Sequence, residues 1–232
     1  MSSFDGLFGG LALAFALINL VRRDWASTVI VLALQYLALF LLILSFAETS
    51  FALIRILVGW MSTLVIYLTL ASSGMLKKFE WPPRFSASQG MRLMMGLLVI
   101  AVIWALAPNL GREVFPFTPP MVLVTSLGLM VLGILQVGMR EEPIYVTVAL
   151  LTFFSGLSLL YGSIERSTVL EGLFAALDLS LALTGAYLIV KVSDLGSCFW
   201  PSPSGGGSAR QLPACSASSW QFWRSSSRPS MF

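Results

Sequence analysis

Histidine is absent from these 232 residues, and cysteine occurs only at Cys198 and Cys215. Without histidine there is no bis-histidine haem ligation, none of the usual zinc sites and no Ser-His-Asp triad. The two cysteines lie on what charge placement assigns to the cytoplasmic side, a reducing compartment that disfavours a disulfide. Charge is also scarce: 11% of residues are charged and 57% are hydrophobic, whereas soluble domains carry about 25% charged residues. A net charge of +3 without a concentrated basic patch gives a nucleic acid nothing to hold. No cofactor and no redox centre are expected.

What the chain has instead is length of apolar sequence. A transmembrane helix takes roughly 17–25 largely apolar residues, and the sequence offers such runs at 4–21, 26–46, 51–72, 91–107, 121–139, 144–162 and 168–192. Barrel strands span with about 9–11 alternating residues, so helices are indicated. The expected fold class is all-α: a polytopic membrane bundle of about seven transmembrane helices embedded in a lipid bilayer.

Basic residues divide unevenly between the connections. Arg22, Arg23, Lys77, Lys78, Arg84, Arg92, Arg140, Lys191, Arg210, Arg224 and Arg228 fall on one side and Arg112 and Arg166 on the other, with Arg55 inside the third run. The positive-inside rule then predicts an external N-terminus and a cytoplasmic C-terminus in a plasma (inner) membrane. Asp5 precedes the first run and Arg22-Arg23 follow it, the reverse of a cleavable signal peptide, so that run is expected to remain as an anchor.

Shifting the chain by 118 residues lays Arg22 on Arg140, Ser45 on Ser163, and the first three runs on the last three. Residues 1–192 thus read as a membrane domain in which one triplet, 4–72, and a second, 121–192, are joined by a linker helix at 91–107. With four helices between copies, the repeats would be parallel. Residues 193–232 are rich in Ser, Gly and Pro and lack helical periodicity, and are expected to form a cytoplasmic tail without ordered structure. Pro108 to Pro120 is expected to be an external loop.

Few polar residues interrupt the membrane runs. Asp178 stands near the middle of the last, where an acid costs about 2.5–3.5 kcal/mol on insertion scales and marks a functional site by default. Glu171, Ala175, Asp178, Ala182 and Gly185 recur at steps of four and three, a single helical stripe that should face protein. A buried acid unanswered by a cation can exchange a proton near physiological pH. The alternative is a protonated Asp178 hydrogen-bonded across a helix interface or to Thr184. Arg55 and Glu171 enter from the same side at similar depth and are expected to pair as an external gate, or to snorkel separately. Gln35, in the middle of the second run, is expected to bridge two helices. Arg55, Gln35, Glu171 and Asp178 are therefore the candidate relay residues.

The stretch from Val131 to Val192, with its turn Met139-Arg140-Glu141-Glu142, the turn from Ser163 to Thr168, and Val169-Leu170-Glu171-Gly172 ahead of Asp178, resembles the hydrogenase-4 component E family. Its three-helix unit is similar to complex I subunit K and to the C subunit of multisubunit sodium/proton antiporters. Leu32-Ala33-Leu34-Gln35-Tyr36-Leu37 and the Arg22-Arg23-Asp24 turn carry the resemblance into the first triplet. It implies a cofactor-free membrane subunit packed beside antiporter-like partners and contributing carboxylates to a proton or sodium path. Where complex I subunit K carries a middle-helix glutamate this chain has Ala33 and, in the second triplet, Leu151, and Trp60, Met61 and Ser62 stand where component E sequences can carry a lysine. An independent small transporter or channel, and a purely structural scaffold, remain open beside that reading.

Overall fold

The structure, a computed structural model, describes residues 3–22, 24–45, 49–72, 87–113, 118–140, 142–164 and 168–199. Among these it contains seven helices and no strand: α1 (Ser3–Val21), α2 (Trp25–Leu44), α3 (Thr49–Ser72), α4 (Ala87–Glu113), α5 (Pro120–Met139), α6 (Pro143–Ile164) and α7 (Thr168–Phe199). Six are long and apolar enough to cross a membrane, and α1 adds the shorter apolar stretch Gly6–Val21. Helices suit lipid because each backbone polar group finds its partner within the segment. The chain is an integral membrane protein of the polytopic helical class.

Local chemistry sets the helix starts. Asp24 takes an extended conformation before α2, and its carbonyl accepts from the Ser27 and Thr28 hydroxyls, both at 3.0 Å. Pro120 and Pro143 open α5 and α6, where a missing N–H costs nothing and the fixed φ is already helical.

Two expected boundaries are corrected. Pro108, assigned by sequence to the external loop, lies inside α4, which runs on to Glu113; a proline is tolerated in a membrane helix where neighbours satisfy the freed carbonyl. α7 continues through Phe199, seven residues past the expected end at 192. Nothing between Ser193 and Phe199 breaks a helix, whereas Pro201 disfavours helix in the residue before it. The remainder of the expected tail, 200–232, lies outside the described residues.

Two units are distinguished, Met1–Val190 and Lys191–Phe232; the second is described only to Phe199. Within the first, α5 and α6 pack most closely. A Cβ added at Gly156 would stand 2.6 Å from the Ser126 carbonyl oxygen, and one at Gly133 would stand 2.8 Å from that of Ala149. Backbone thus meets backbone, the small-residue packing that membrane helices use in place of a hydrophobic drive.

Two apolar clusters share α2. One joins α1, α2, α4 and α5 through Leu13, Leu20, Leu39, Leu42, Ile103, Leu129 and Leu132. The other joins α2, α3, α6 and α7 through Val29, Leu32, Ile66, Val148, Leu151 and Ile189. Around them α3, α4 and α7 turn large apolar side chains outward, Met94 to 74% exposure and Trp104 to 57%. In lipid such faces carry no penalty.

Side-chain contacts also sort the helix ends. Arg140, following α5, donates to the carbonyls of Leu20 and Arg22 at the end of α1. Arg92, near the start of α4, donates to Met139 O at 3.3 Å, and the Trp25 indole donates to Glu142 at 3.2 Å. Leu70 and Ile189, late in α3 and α7, cluster with Val29 and Ile144, early in α2 and α6. The ends that gather Arg22, Arg92 and Arg140 therefore form one face of the bundle, called here the basic end.

Candidate functional site

α7 presents its stripe inward. Glu171, Asp178, Ala182 and Gly185 are buried, whereas Leu173, Leu183 and Thr184 on the other side of the helix are exposed. Heptad spacing places the two carboxylates about 10 Å apart along the axis. Facing them is α3, and Arg55 Nη1 donates to Asp178 Oδ2 at 2.8 Å, with side-chain exposures of 2% and 1%.

This pairing corrects the expected one. Arg55 does not take Glu171 as its bonded partner; it takes the deeper acid. Arg55 is six residues into α3, while Glu171 and Asp178 are three and ten residues into α7, so the guanidinium is bracketed in depth by the two acids. Asp178 lies farther from the helix start, and a charge there gains most from a counter-ion. Glu171 is 3% exposed and close enough to Arg55 and Asp178 to feel both charges. Asp178 is thus not an unanswered acid. The intrahelical alternative is not observed either: Thr184 donates to the Ser180 carbonyl at 2.8 Å, and the Ser180 hydroxyl donates to that of Leu177 at 2.9 Å.

Two further helices close the site. Tyr36 of α2 lays its ring on Gly59 of α3, where any Cβ would collide with it. Its ring centroid is 5.9 Å from the Arg55 guanidinium carbon, within range of a cation–π contact. The Tyr36 hydroxyl lies near Ser155 of α6 without a direct hydrogen bond, and Ser155 Oγ donates to Leu151 O at 2.7 Å. Gln35 is 1% exposed, and neither amide atom has a partner among the described residues. The helix-to-helix bridge expected of it is not made. Arg55 Nη2, Ser62 Oγ, Glu171 Oε1 and Asp178 Oδ1 are likewise buried without a partner.

Polar atoms buried without a partner are costly, since each forfeits about 1–3 kcal/mol of hydration. Toward the basic end the Tyr36 ring packs among the apolar side chains of Val29, Leu32, Ile66, Val148, Leu151 and Ile189.

Tyr36, Ser155 and Ser62 were not singled out from sequence as site residues. The signal available was the adjacency of Gln35 and Tyr36, two polar side chains in mid-run, and the hydroxyls that dilute the sixth run. Among the described residues, no group of three or more His, Cys, Asp or Glu is placed to hold a metal ion. No known protein family, no curated protein and no solved structure matches the chain.

Proposed function

We propose that a membrane-embedded cluster of one guanidinium and two carboxylates, Arg55, Asp178 and Glu171, handles a monovalent cation, proton or sodium. In this reading the chain is a non-catalytic subunit of a complex I-like, membrane-hydrogenase or cation/proton antiporter assembly, in a plasma membrane with its N-terminus external. The observation that carries it is the charge sum. With all three groups ionised the cluster has one positive and two negative charges, none more than 3% exposed. A buried net charge is strongly disfavoured, and one bound cation removes it. The basic residues at one end of the bundle support the orientation, and the residues quoted above support the family resemblance.

Removing one member of the ion pair strands the other, so the informative variant is Arg55→Gln/Asp178→Asn, nearly matched in size and free of both charges. It is expected to fold and assemble but to lose proton- or sodium-coupled flux after reconstitution into liposomes; retained flux would sink the reading. Purification in mild detergent is expected to bring antiporter-like subunits with the chain. A homo-oligomer transporting unaided would instead make it an independent small transporter.

A further inference from the structure

We infer that the cation taken by this cluster is a proton and that Glu171 carries it, while Asp178 and Arg55 act as a fixed pair. The inference rests on the proposed reading of the cluster as a one-cation site and assigns its ion and its residue. It reverses the expectation from sequence, in which Asp178 was the exchanging group.

The three charges are not equivalent. Asp178 already receives a direct hydrogen bond from Arg55 at 2.8 Å, with both side chains almost wholly buried. Protonating Asp178 would leave the guanidinium in the interior without its bonded partner, the costly way to break such a pair. Glu171 has no hydrogen bond to Oε1 and lies seven residues nearer the start of α7. Placing the proton on Glu171 brings the cluster to zero net charge without disturbing the ion pair. Among the described residues, the charged and titratable groups around it are Arg55 from α3, Asp178 from its own helix and, beside Arg55, Tyr36 from α2. α6 supplies the hydroxyl of Ser155 near Tyr36, and its Tyr161 ring packs 5.9 Å from Phe174 of α7.

The ion follows from the chemistry of the unpartnered atoms. A sodium ion would require several oxygen ligands, as hard cations do, and would have to sit against a guanidinium. The unpartnered atoms around the pair are mixed: Arg55 Nη2 donates, Asp178 Oδ1 and Glu171 Oε1 accept, and the Tyr36 hydroxyl does either. Water satisfies both kinds at once, and a proton needs one acceptor.

Infrared difference spectroscopy on the full chain in lipid nanodiscs tests this. At neutral pH the wild type should show one protonated-carboxyl band that shifts on selective [13C]glutamate labelling, vanishes in Glu171→Gln and is unchanged when NaCl replaces KCl. A shift with [13C]aspartate instead would overturn the assignment to Glu171, and a band displaced by Na+ at constant pH would overturn the proton; either result leaves the one-cation reading intact. Absence of both a protonated carboxyl and any Na+ response would remove that reading and this inference together. Glu171→Gln keeps the Arg55–Asp178 pair and replaces a neutral carboxylic acid with an amide of nearly equal size, so it should fold.

Discussion

Arg140 and Arg55 are both drawn into this bundle, and they are held in opposite ways. Arg140, at the basic end, donates through Nη2 to the Leu20 carbonyl at 3.0 Å and to that of Arg22, and its guanidinium carbon lies 4.1 Å from the Tyr145 ring centroid. Its acceptors are backbone oxygens at the end of α1, groups that neither titrate nor move independently of the helix, and that welcome a cation. Arg55 is held by a carboxylate through Nη1, its Nη2 has no partner, and Tyr36 stands farther off at 5.9 Å. One arginine ties two helices together. The other is tied to a titratable acid. Arg140 is half-buried and Arg55 almost wholly buried, and the chemistry of the acceptor separates them further.

The comparison is broken most sharply by stranding Arg55. Asp178→Asn alone should destabilise the protein by about 3–5 kcal/mol, the usual effect of leaving a buried charge unpaired, whereas Arg55→Gln/Asp178→Asn should unfold close to wild type. Thermal unfolding in one detergent decides it, and equal losses in the two variants would mean that the pair is not the buried unit described. Next in size, Arg140→Gln should cost about 1.5–3 kcal/mol, the range for hydrogen bonds to charged groups, and should leave the protonated-carboxyl band of Glu171 in place. A changed band would show that the basic end and the mid-membrane cluster are coupled. Smallest is Tyr36→Phe, which keeps the ring against Gly59 and removes a hydroxyl already without a partner. Stability should shift by less than about 1 kcal/mol while hydrogen exchange at the Glu171 carboxyl slows; an unchanged rate would exclude that hydroxyl from the path.

Much of this architecture could be read from residue order. The runs of apolar residues marked seven helices to within a few positions, and the four-three spacing from Glu171 to Gly185 marked the inward face of α7. Such periodicity reports a residue's depth and face, but not which helix stands opposite. Arg55 and Asp178 are 123 positions apart, and their pairing depends on α3 and α7 being neighbours, a result of packing among all the helices. Depth alone therefore paired Arg55 with Glu171. The bounds of α4 and α7 were misjudged for a related reason: Pro108 and Ser193-Asp194 lower hydropathy, which measures affinity for lipid, without forbidding the helical backbone. Tyr36 escaped notice because a tyrosine in an apolar run looks like bulk, and its role follows from Gly59 leaving room for the ring.

The glycines between α5 and α6 have a mechanical consequence. Because Gly133 rests on the backbone of Ala149 and Phe153, and Gly156 on that of Ser126 and Met130, the two helices are keyed together like a tongue in a slot. Sliding one along the other by a single residue would bring the side chain of Ser155 or Leu157 to a place sized for hydrogen. Their register is therefore discrete, and the pair forms a stator. The carboxylates sit on α7, which meets its neighbours through side chains such as Asp178 and Phe174, so the charged stripe is set against a frame that does not slip.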